Sequence, residues 1–388
     1  MQREIPILSE GLVTSRICIG RKVADAASLL EGDVYLVCDA SVRTLADSLI
    51  RRVHRRARYD RKEGAPAPAR IRSVLSLQTG ESEKNLYTVM DICRWLLDNG
   101  ADRKALLLAV GGGITTDMAG FAASVYKRGI RFAYIPTTLL AQVDAAIGGK
   151  TGVNFLDLKN MIGVIRQPEW TWICPEPLRT LPLRDFRSGM AEMLKTFLLG
   201  DAAHYEPAVA LLAEISQAEH PQQIIVEKTA ELQELIAAAA AVKAAVVSRD
   251  PEEKGERRIL NLGHTFAHGI ESKSRQAGPD LTHGEAVAIG IIMAAELSEY
   301  LGIAGEGLTE KLVTDFVSCG LPTAPPFRLE ELEAAMTRDK KAEGDIVHFI
   351  LPAAVGTVVE KDLSVHEALS LLGAAENAVT GFDEIMKI

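Results

Sequence analysis

The stretch ALLLAVGGGITTDMAGFAASVY, residues 105–126, constrains the fold more than any other part of the chain. An uninterrupted apolar run, three consecutive glycines and then apolar residues at helical spacing predict a strand, a tight turn and a helix. A strand that is apolar throughout must be covered on both faces, which is the situation of a parallel sheet flanked by helices. The rest of the first half agrees. Short β-type runs at 34–38, 71–77, 132–135 and 170–173 alternate with longer amphipathic stretches, the βαβ pattern of an α/β domain. Glycines at such a junction let backbone N–H groups approach a pyrophosphate, and the helix N-terminus favours its charge. A tight turn also needs glycine, and GGG is not GxGxxG, so both readings stand.

After about residue 175 the texture changes. Ala/Leu/Glu-rich stretches at 191–199, 229–247, 264–271, 284–301 and 329–336 carry helical periodicity, with few strand-like runs. The 388 residues suffice for two or three domains of roughly 100–200 each. We expect an α/β nucleotide-binding domain at 1–175 and a mainly helical domain at 176–388, with the active site in the cleft between them. The net charge, 43 − 52 = −9, argues against a nucleic-acid or anionic-membrane binder. The basic run at 51–72 reads either as a solvated helix end entering a Pro/Ala loop or as a polyanion site. Five scattered cysteines without a C-x-x-C pair encode neither a disulfide framework nor a zinc knuckle. A prominent apolar run, 286–295, is well short of the ~18–20 residues that span a bilayer, so we expect a soluble cytoplasmic protein. The tail after residue 372 yields no reading.

Several polar residues sit where their surroundings make them informative. Asp39 ends the strand DVYLVCD and can accept from ribose hydroxyls or simply cap the turn. The segment 136–160 concentrates Thr137, Thr138, Asp144, Lys150, Asn154, Lys159 and Asn160 around a GG turn, too many hydrogen-bonding groups for a mere connection. Glu192 and Lys195 stand at i, i+3 in an otherwise apolar helix, either as a surface pair or as site residues. His264 and His268 share a helix face at i, i+4, and His283 precedes a buried-looking helix. Core histidines are the plain reading; a three-ligand metal site with open positions is the functional one. Lys243 lies in IAAAAAVKAAVV with Ala239, Ala240, Val246 and Val247 around it, so it must snorkel or find an anion. Arg257 has Glu253 four residues upstream, which leaves a local ion pair and a substrate contact both open.

With those residues in hand, the motifs GGGITTDMAGF, YKRGI, PTTLLAQVDAAIGGKTGVN, LKNMIGV, TLPLRDF, SGMAEMLK, LNLGHTFAHGIE, HGEAVAIG and MTRDKK, in order from about residue 80 to 341, carry a resemblance. The chain resembles the sugar-phosphate cyclase family, specifically its 3-dehydroquinate synthases, and more distantly the iron-dependent alcohol and glycerol dehydrogenases. The resemblance implies a Rossmann-like N-terminal domain and a helical metal- and substrate-binding domain. It implies Zn2+ or Co2+ held by Glu192, His264 and His283. It implies NAD contacts from Asp39, Glu81, Lys84, Gly112, Gly113, Asp117, Thr137, Thr138, Lys159, Leu178 and Thr180, with Asp144 and Lys150 serving cofactor and substrate alike. Phosphate would fall to Arg128, Lys150 and Asn160, the substrate carboxylate to Lys243, Arg257 and Asn261, and proton relay or alkoxide stabilisation to His268 and Lys195. One of Lys340 and Lys341 would also contact substrate.

The activity so implied is a carbon–oxygen lyase of the shikimate pathway. It converts 3-deoxy-D-arabino-heptulosonate 7-phosphate to 3-dehydroquinate and phosphate, with NAD reduced and reoxidised in one turnover. A homodimer with a small sugar-phosphate substrate is implied, and no nucleic-acid or membrane partner. Thr115-Thr116, AHG around His268 and Ser41 depart from the family's common residues. Another cyclase of the family is the nearest alternative. An NAD- and metal-dependent polyol dehydrogenase is the other, although it would not need so many anion-binding lysines and arginines.

Overall fold

The computed structural model describes residues 3–59, 68–156, 158–339 and 346–374. In chain order the strands and helices are β1 (Arg3–Ser9), β2 (Leu12–Ile19), β3 (Asp33–Asp39), α1 (Arg43–Tyr59), β4 (Arg70–Leu77), α2 (Leu86–Asp98), β5 (Leu106–Gly111), α3 (Gly113–Val125), β6 (Arg131–Pro136), β7 (Lys150–Phe155), β8 (Leu158–Ile165) and β9 (Trp170–Ile173). There follow α4 (Leu183–Gly200), α5 (Ala202–Gln217), α6 (Pro221–Glu227), α7 (Thr229–Arg249), α8 (His264–Ala277), α9 (His283–Tyr300), α10 (Leu308–Ser318), α11 (Leu329–Asp339), β10 (Ile346–Ala354) and β11 (Thr357–Ser364). They group into two compact units, Met1–Pro182 with Ile225–Glu253, and Leu183–Ile224 with Lys254–Ile388.

The first unit is built on a seven-stranded sheet of order β1-β2-β9-β6-β5-β3-β4, parallel except for β1 against β2. Side chains alternate across it as the pleat requires. Val34, Leu36, Leu106, Leu108 and Val110 pack with Ala46, Leu49 and Val53 of α1. Tyr35, Val37, Leu107 and Ala109 pack with Val89, Ile92 and Leu96 of α2 and Met118 and Ala122 of α3. Every residue of β5 is buried. Each fully buried leucine or valine contributes about 1.5–3 kcal/mol, so the apolar run that defines β5 anchors both layers. The strands expected from the sequence are β3, β4, β5, β6 and β9.

Helix α7 differs from expectation. Its alanine-rich texture suggested the helical half of the chain, yet it belongs to the first unit, where Leu8 N–H donates to Ser248 Oγ at 2.9 Å. Periodicity identifies a helix but not the layer it joins. The division at 182/183 likewise lies past the expected 175/176. Also unforeseen are β1, interrupted in pattern by Pro6, and the separate β7–β8 hairpin, where Asn160 sits at φ 55° and Gly152 faces Gly163. The basic run at 51–72 covers the end of α1, with Arg51, Arg52, Arg55 and Arg58 exposed, and the start of β4; residues 60–67 lie outside the described residues.

The second unit packs α4 and α8 against the apolar helix α9, which begins in a capping box between Thr282 and Glu285. Glycines set how closely these helices approach. A Cβ on Gly284 would lie 2.0 Å from the Ser188 carbonyl oxygen, and one on Gly290 would lie 2.1 Å from that of Gly263. The β10–β11 hairpin in this unit was not anticipated. Among the described residues, no helix is long and apolar enough to cross a membrane.

Candidate functional site

In the second unit, three expected ligands converge. Glu192 lies in the middle of α4, wholly buried; His264 opens α8 and His283 opens α9. Glu192 Oε1 is 3.6 Å from His264 Nε2 and 3.1 Å from His283 Nε2, and one donor atom from each of the three lies within 4.8 Å of the others. The far ring nitrogens are held. His264 Nδ1 is 3.1 Å from the Leu262 carbonyl oxygen, and His283 Nδ1 is 3.3 Å from Glu271 Oε1. With Nδ1 donating, each Nε2 turns its lone pair to the common point.

This donor set fits a divalent cation. Ligands about 2.0–2.2 Å from a tetrahedral ion stand roughly 3.4 Å apart, the spacing seen between Glu192 and its two imidazoles, and one carboxylate with two histidines leaves positions for substrate oxygens. Charge at the site is already organised for a cation. Burial pushes the Glu192 carboxyl up, but the Lys195 ammonium and the two histidines outweigh it and hold it well below its ordinary range. Burial, with Lys195 nearby, lowers His264 to about 3. His283 goes the other way: burial opposes its charge, yet the hydrogen bonds it gives to Glu192 and Glu271 raise it to about 10. Two carboxylates flanking one imidazole favour positive charge there, whether a proton or a metal supplies it.

Lys195 is 1% exposed, 2.7 Å from Glu192 Oε2, and donates to the Leu260 carbonyl at 2.8 Å. The pair is thus buried rather than a surface bridge. His268 follows His264 one turn on, its ring centroid 5.8 Å away. Arg257 and Asn261 lie in the short helix Glu256–Asn261, with Arg257 buried. Glu253, one of the two candidate partners left open for Arg257, pairs with Lys150.

In the first unit, Asp39, Gly112, Gly113, Thr137 and Thr138 lie at the carboxyl ends of β3, β5 and β6. Gly111 ends β5 and Gly113 begins α3; a Cβ on Gly111 would strike Thr115, and one on Gly112 would come 3.0 Å from Thr138. Close packing therefore demands these glycines, and no side chain caps α3 at its first turn. Thr137 N–H donates to the Gly111 carbonyl, and Thr138 Oγ1 accepts from Ala141 N–H where a π-helical turn, Ala141–Ala145, carries Asp144. Asp39 caps the turn after β3 through Ser41 and also accepts from Thr79 Oγ1. Lys84 is buried, 2.7 Å from Asp117 Oδ2 and 2.5 Å from Asn160 Oδ1. Burial raises the Asp117 carboxyl against the opposing pull of Lys84 and Lys243. Glu81 accepts from Asn154 Nδ2 at 2.9 Å and lies 3.8 Å from Lys159. Lys243 does not snorkel: it is buried and paired with Asp144.

Some expected residues stand apart from these clusters. Arg128 is exposed at φ 66° before β6, without an ion pair among the described residues. Leu178 is buried and Thr180 ends the short helix Glu176–Thr180, donating to Pro177 O. Lys340 and Lys341 lie outside the described residues. Sequence reasoning missed Thr79 and Glu271. Glu271 was legible in part, since it continues the α8 face of His264 and His268 at i+7.

Known proteins resemble this chain over most of its length. Residues 74–188 match the family model described as 3-dehydroquinate synthase N-terminal, and residues 189–342 match 3-dehydroquinate synthase C-terminal. A 3-dehydroquinate synthase of Legionella pneumophila (strain Lens) is 40% identical over 304 residues, covering 78% of this chain and 79% of the relative. One from Campylobacter concisus (strain 13826) is 41% identical over 303 residues, 77% of this chain and 83% of the relative. Among solved structures, 2-epi-5-epi-valiolone synthase from Streptomyces hygroscopicus subsp. jinggangensis 5008, with NAD+ and Zn2+ bound, superposes with a TM-score of 0.81 at 27% identity, covering 95% of this chain and 98% of that one.

Proposed function

The chain belongs to the 3-dehydroquinate synthase family, and on that premise we propose how its residues share out the family's reaction. It converts 3-deoxy-D-arabino-heptulosonate 7-phosphate to 3-dehydroquinate and phosphate, a lyase step of the shikimate pathway. The observation that carries the reading is the buried convergence of Glu192, His264 and His283 in a chain matching both halves of the family model. The likeness to an NAD+- and Zn2+-bound cyclase supports NAD and a divalent ion, Zn2+ or Co2+, as cofactors. When bound, NAD takes up and returns a hydride within one turnover while the ion acidifies the substrate hydroxyl being oxidised.

Glu192, His264 and His283 would hold the ion. Lys195, fixed by Glu192 and the Leu260 carbonyl, keeps an ammonium in a dry site where an alkoxide develops, and His268, one turn along α8, relays protons. The pyrophosphate of NAD would rest on Gly112, Gly113 and the open N-terminus of α3, with Asp39 at the ribose. Glu81, Lys84, Asp117, Thr137, Thr138, Asp144, Lys159, Leu178 and Thr180 would complete the cofactor's surroundings. Arg128, Lys150 and Asn160 are assigned to the phosphate, and Lys243, Arg257 and Asn261 to the carboxylate, because those two anionic groups need separate cationic partners.

We further propose a cytoplasmic homodimer. The five cysteines are free thiols, which suits a reducing compartment. The β7–β8 hairpin exposes Phe155, Leu156, Leu158, Met161 and Ile165, an apolar patch suited to burial against a second copy. Light scattering of a Leu156→Lys, Met161→Lys variant, expected to be monomeric, tests that interface.

The reaction is tested by incubating the protein with the heptulosonate phosphate, NAD and zinc. One phosphate should appear per substrate, with 3-dehydroquinate as product and no lasting rise in nicotinamide absorbance. NADH accumulating in step with substrate loss would instead identify a polyol dehydrogenase.

A further inference from the structure

We infer that Glu271 is a positioning residue of the metal centre: its carboxylate accepts the Nδ1–H of His283, fixes the tautomer whose Nε2 faces Glu192, and thereby sets the site's affinity for its ion. This role rests on the metal-site reading above. The geometry is specific. Glu271 is 5% exposed on α8, its Oε1 is 3.3 Å from His283 Nδ1, and the opposite nitrogen of the same ring is 3.1 Å from Glu192 Oε1. The imidazole is therefore suspended between two carboxylates on two different helices, α4 and α8, and belongs itself to a third, α9.

A buried carboxylate is costly unless its charge is used, and a hydrophobic side chain at 271 would avoid that cost. What Glu271 gives in return is control of one ring. Ligating histidines depend on the acceptor at their far nitrogen for orientation and for basicity, and a carboxylate acceptor makes the imidazole the stronger donor to metal. The two histidines here are not equivalent in that respect. His264 rests on the neutral carbonyl of Leu262, whereas His283 rests on a charged group. Glu271 makes His283 the stronger of the two neutral ligands, and the centre is unsymmetrical by construction.

The test compares the parent with Glu271→Gln and Glu271→Ala, each loaded with NAD, stripped of metal and titrated with Zn2+ against a chromogenic chelator. A parallel titration with Co2+ follows its visible absorption bands. Zinc affinity should fall about 10–100-fold in the alanine variant and by less in the glutamine variant, which keeps an acceptor oxygen but loses the charge. The cobalt bands should shift in both, while NAD affinity stays at the parent value. A merely structural glutamate would change melting temperature without changing the cobalt bands of the folded protein. If the alanine variant does not fold, glutamine decides alone, and a parent-like zinc affinity and cobalt spectrum overturn the role. A parent that takes up no zinc overturns the metal centre and this role with it; a parent that binds zinc with both variants alike overturns only the role of Glu271.

Discussion

Glu192 and Lys195 face each other at 2.7 Å on α4, and neither side chain reaches solvent. Removing one partner of such a pair strands the other charge, at a cost of about 3–5 kcal/mol. Glu192→Gln should therefore lower the melting temperature and abolish zinc uptake. Adding Lys195→Met should recover much of the stability and none of the metal. Thermal unfolding and metal analysis on the same samples check this; a double variant no more stable than Glu192→Gln alone would contradict the pairing.

Gly284 controls the distance between α4 and α9 at the turn that carries His283. Because the atom a Cβ would strike, 2.0 Å away, is the backbone oxygen of Ser188, no rotamer change relieves the clash and α9 must move. Gly284→Ala should cost at least about 1–3 kcal/mol of stability and weaken zinc binding, with NAD binding unaffected. Gly305→Ala, where a Cβ meets nothing within 4 Å, is the control and should match the parent. Zinc affinity equal in both variants would mean that the helix approach does not set the ligand geometry.

What could be read from the sequence divides along a physical line. Strand β5, the glycine turn and the faces of α8 and α9 were legible because burial imposes a period on neighbouring residues, and that period is local. The convergence of Glu192, His264 and His283 was legible through motif resemblance, with helix spacing placing His264 and His268 on one face. Partners that meet only after folding were not legible. Nothing within a turn of Lys243 predicts Asp144, nothing near His283 predicts Glu271, and Glu253 sits four residues from Arg257 yet pairs with Lys150. The layer assignment of α7 failed for the same reason, since an alanine-rich helix looks alike whichever sheet or bundle it joins.

Lys84 and Asp117 form a nearly dry pair beside Asn160 in the first unit. Asp117→Asn removes the charge that holds Lys84, and if this pair shapes the cofactor site the dissociation constant for NAD should rise by about tenfold, the loss of one charge-assisted hydrogen bond. Zinc binding, whose proposed ligands lie in the second unit, should not change. Calorimetric titration with NAD measures the first effect, and an unchanged NAD affinity would remove Lys84 and Asp117 from the cofactor's surroundings.

Lys243 and Asp144 give the sharpest test of substrate choice. The alanine-rich helix places no acid within a turn of Lys243, and the structure supplies Asp144, which accepts from the ammonium through both its carboxylate and its backbone carbonyl. A substrate carboxylate distinguishes the heptulosonate from sedoheptulose 7-phosphate, which lacks it. Lys243→Met should cut kcat/KM for the heptulosonate by at least about tenfold, the equivalent of about 1.5–3 kcal/mol, while zinc content stays at the parent value. Binding of sedoheptulose 7-phosphate, measured as competitive inhibition, should barely change. Equal losses for both sugars would mean that Lys243 serves the cofactor or the packing of α7, and the carboxylate would then have to be held by Arg257 and Asn261 alone.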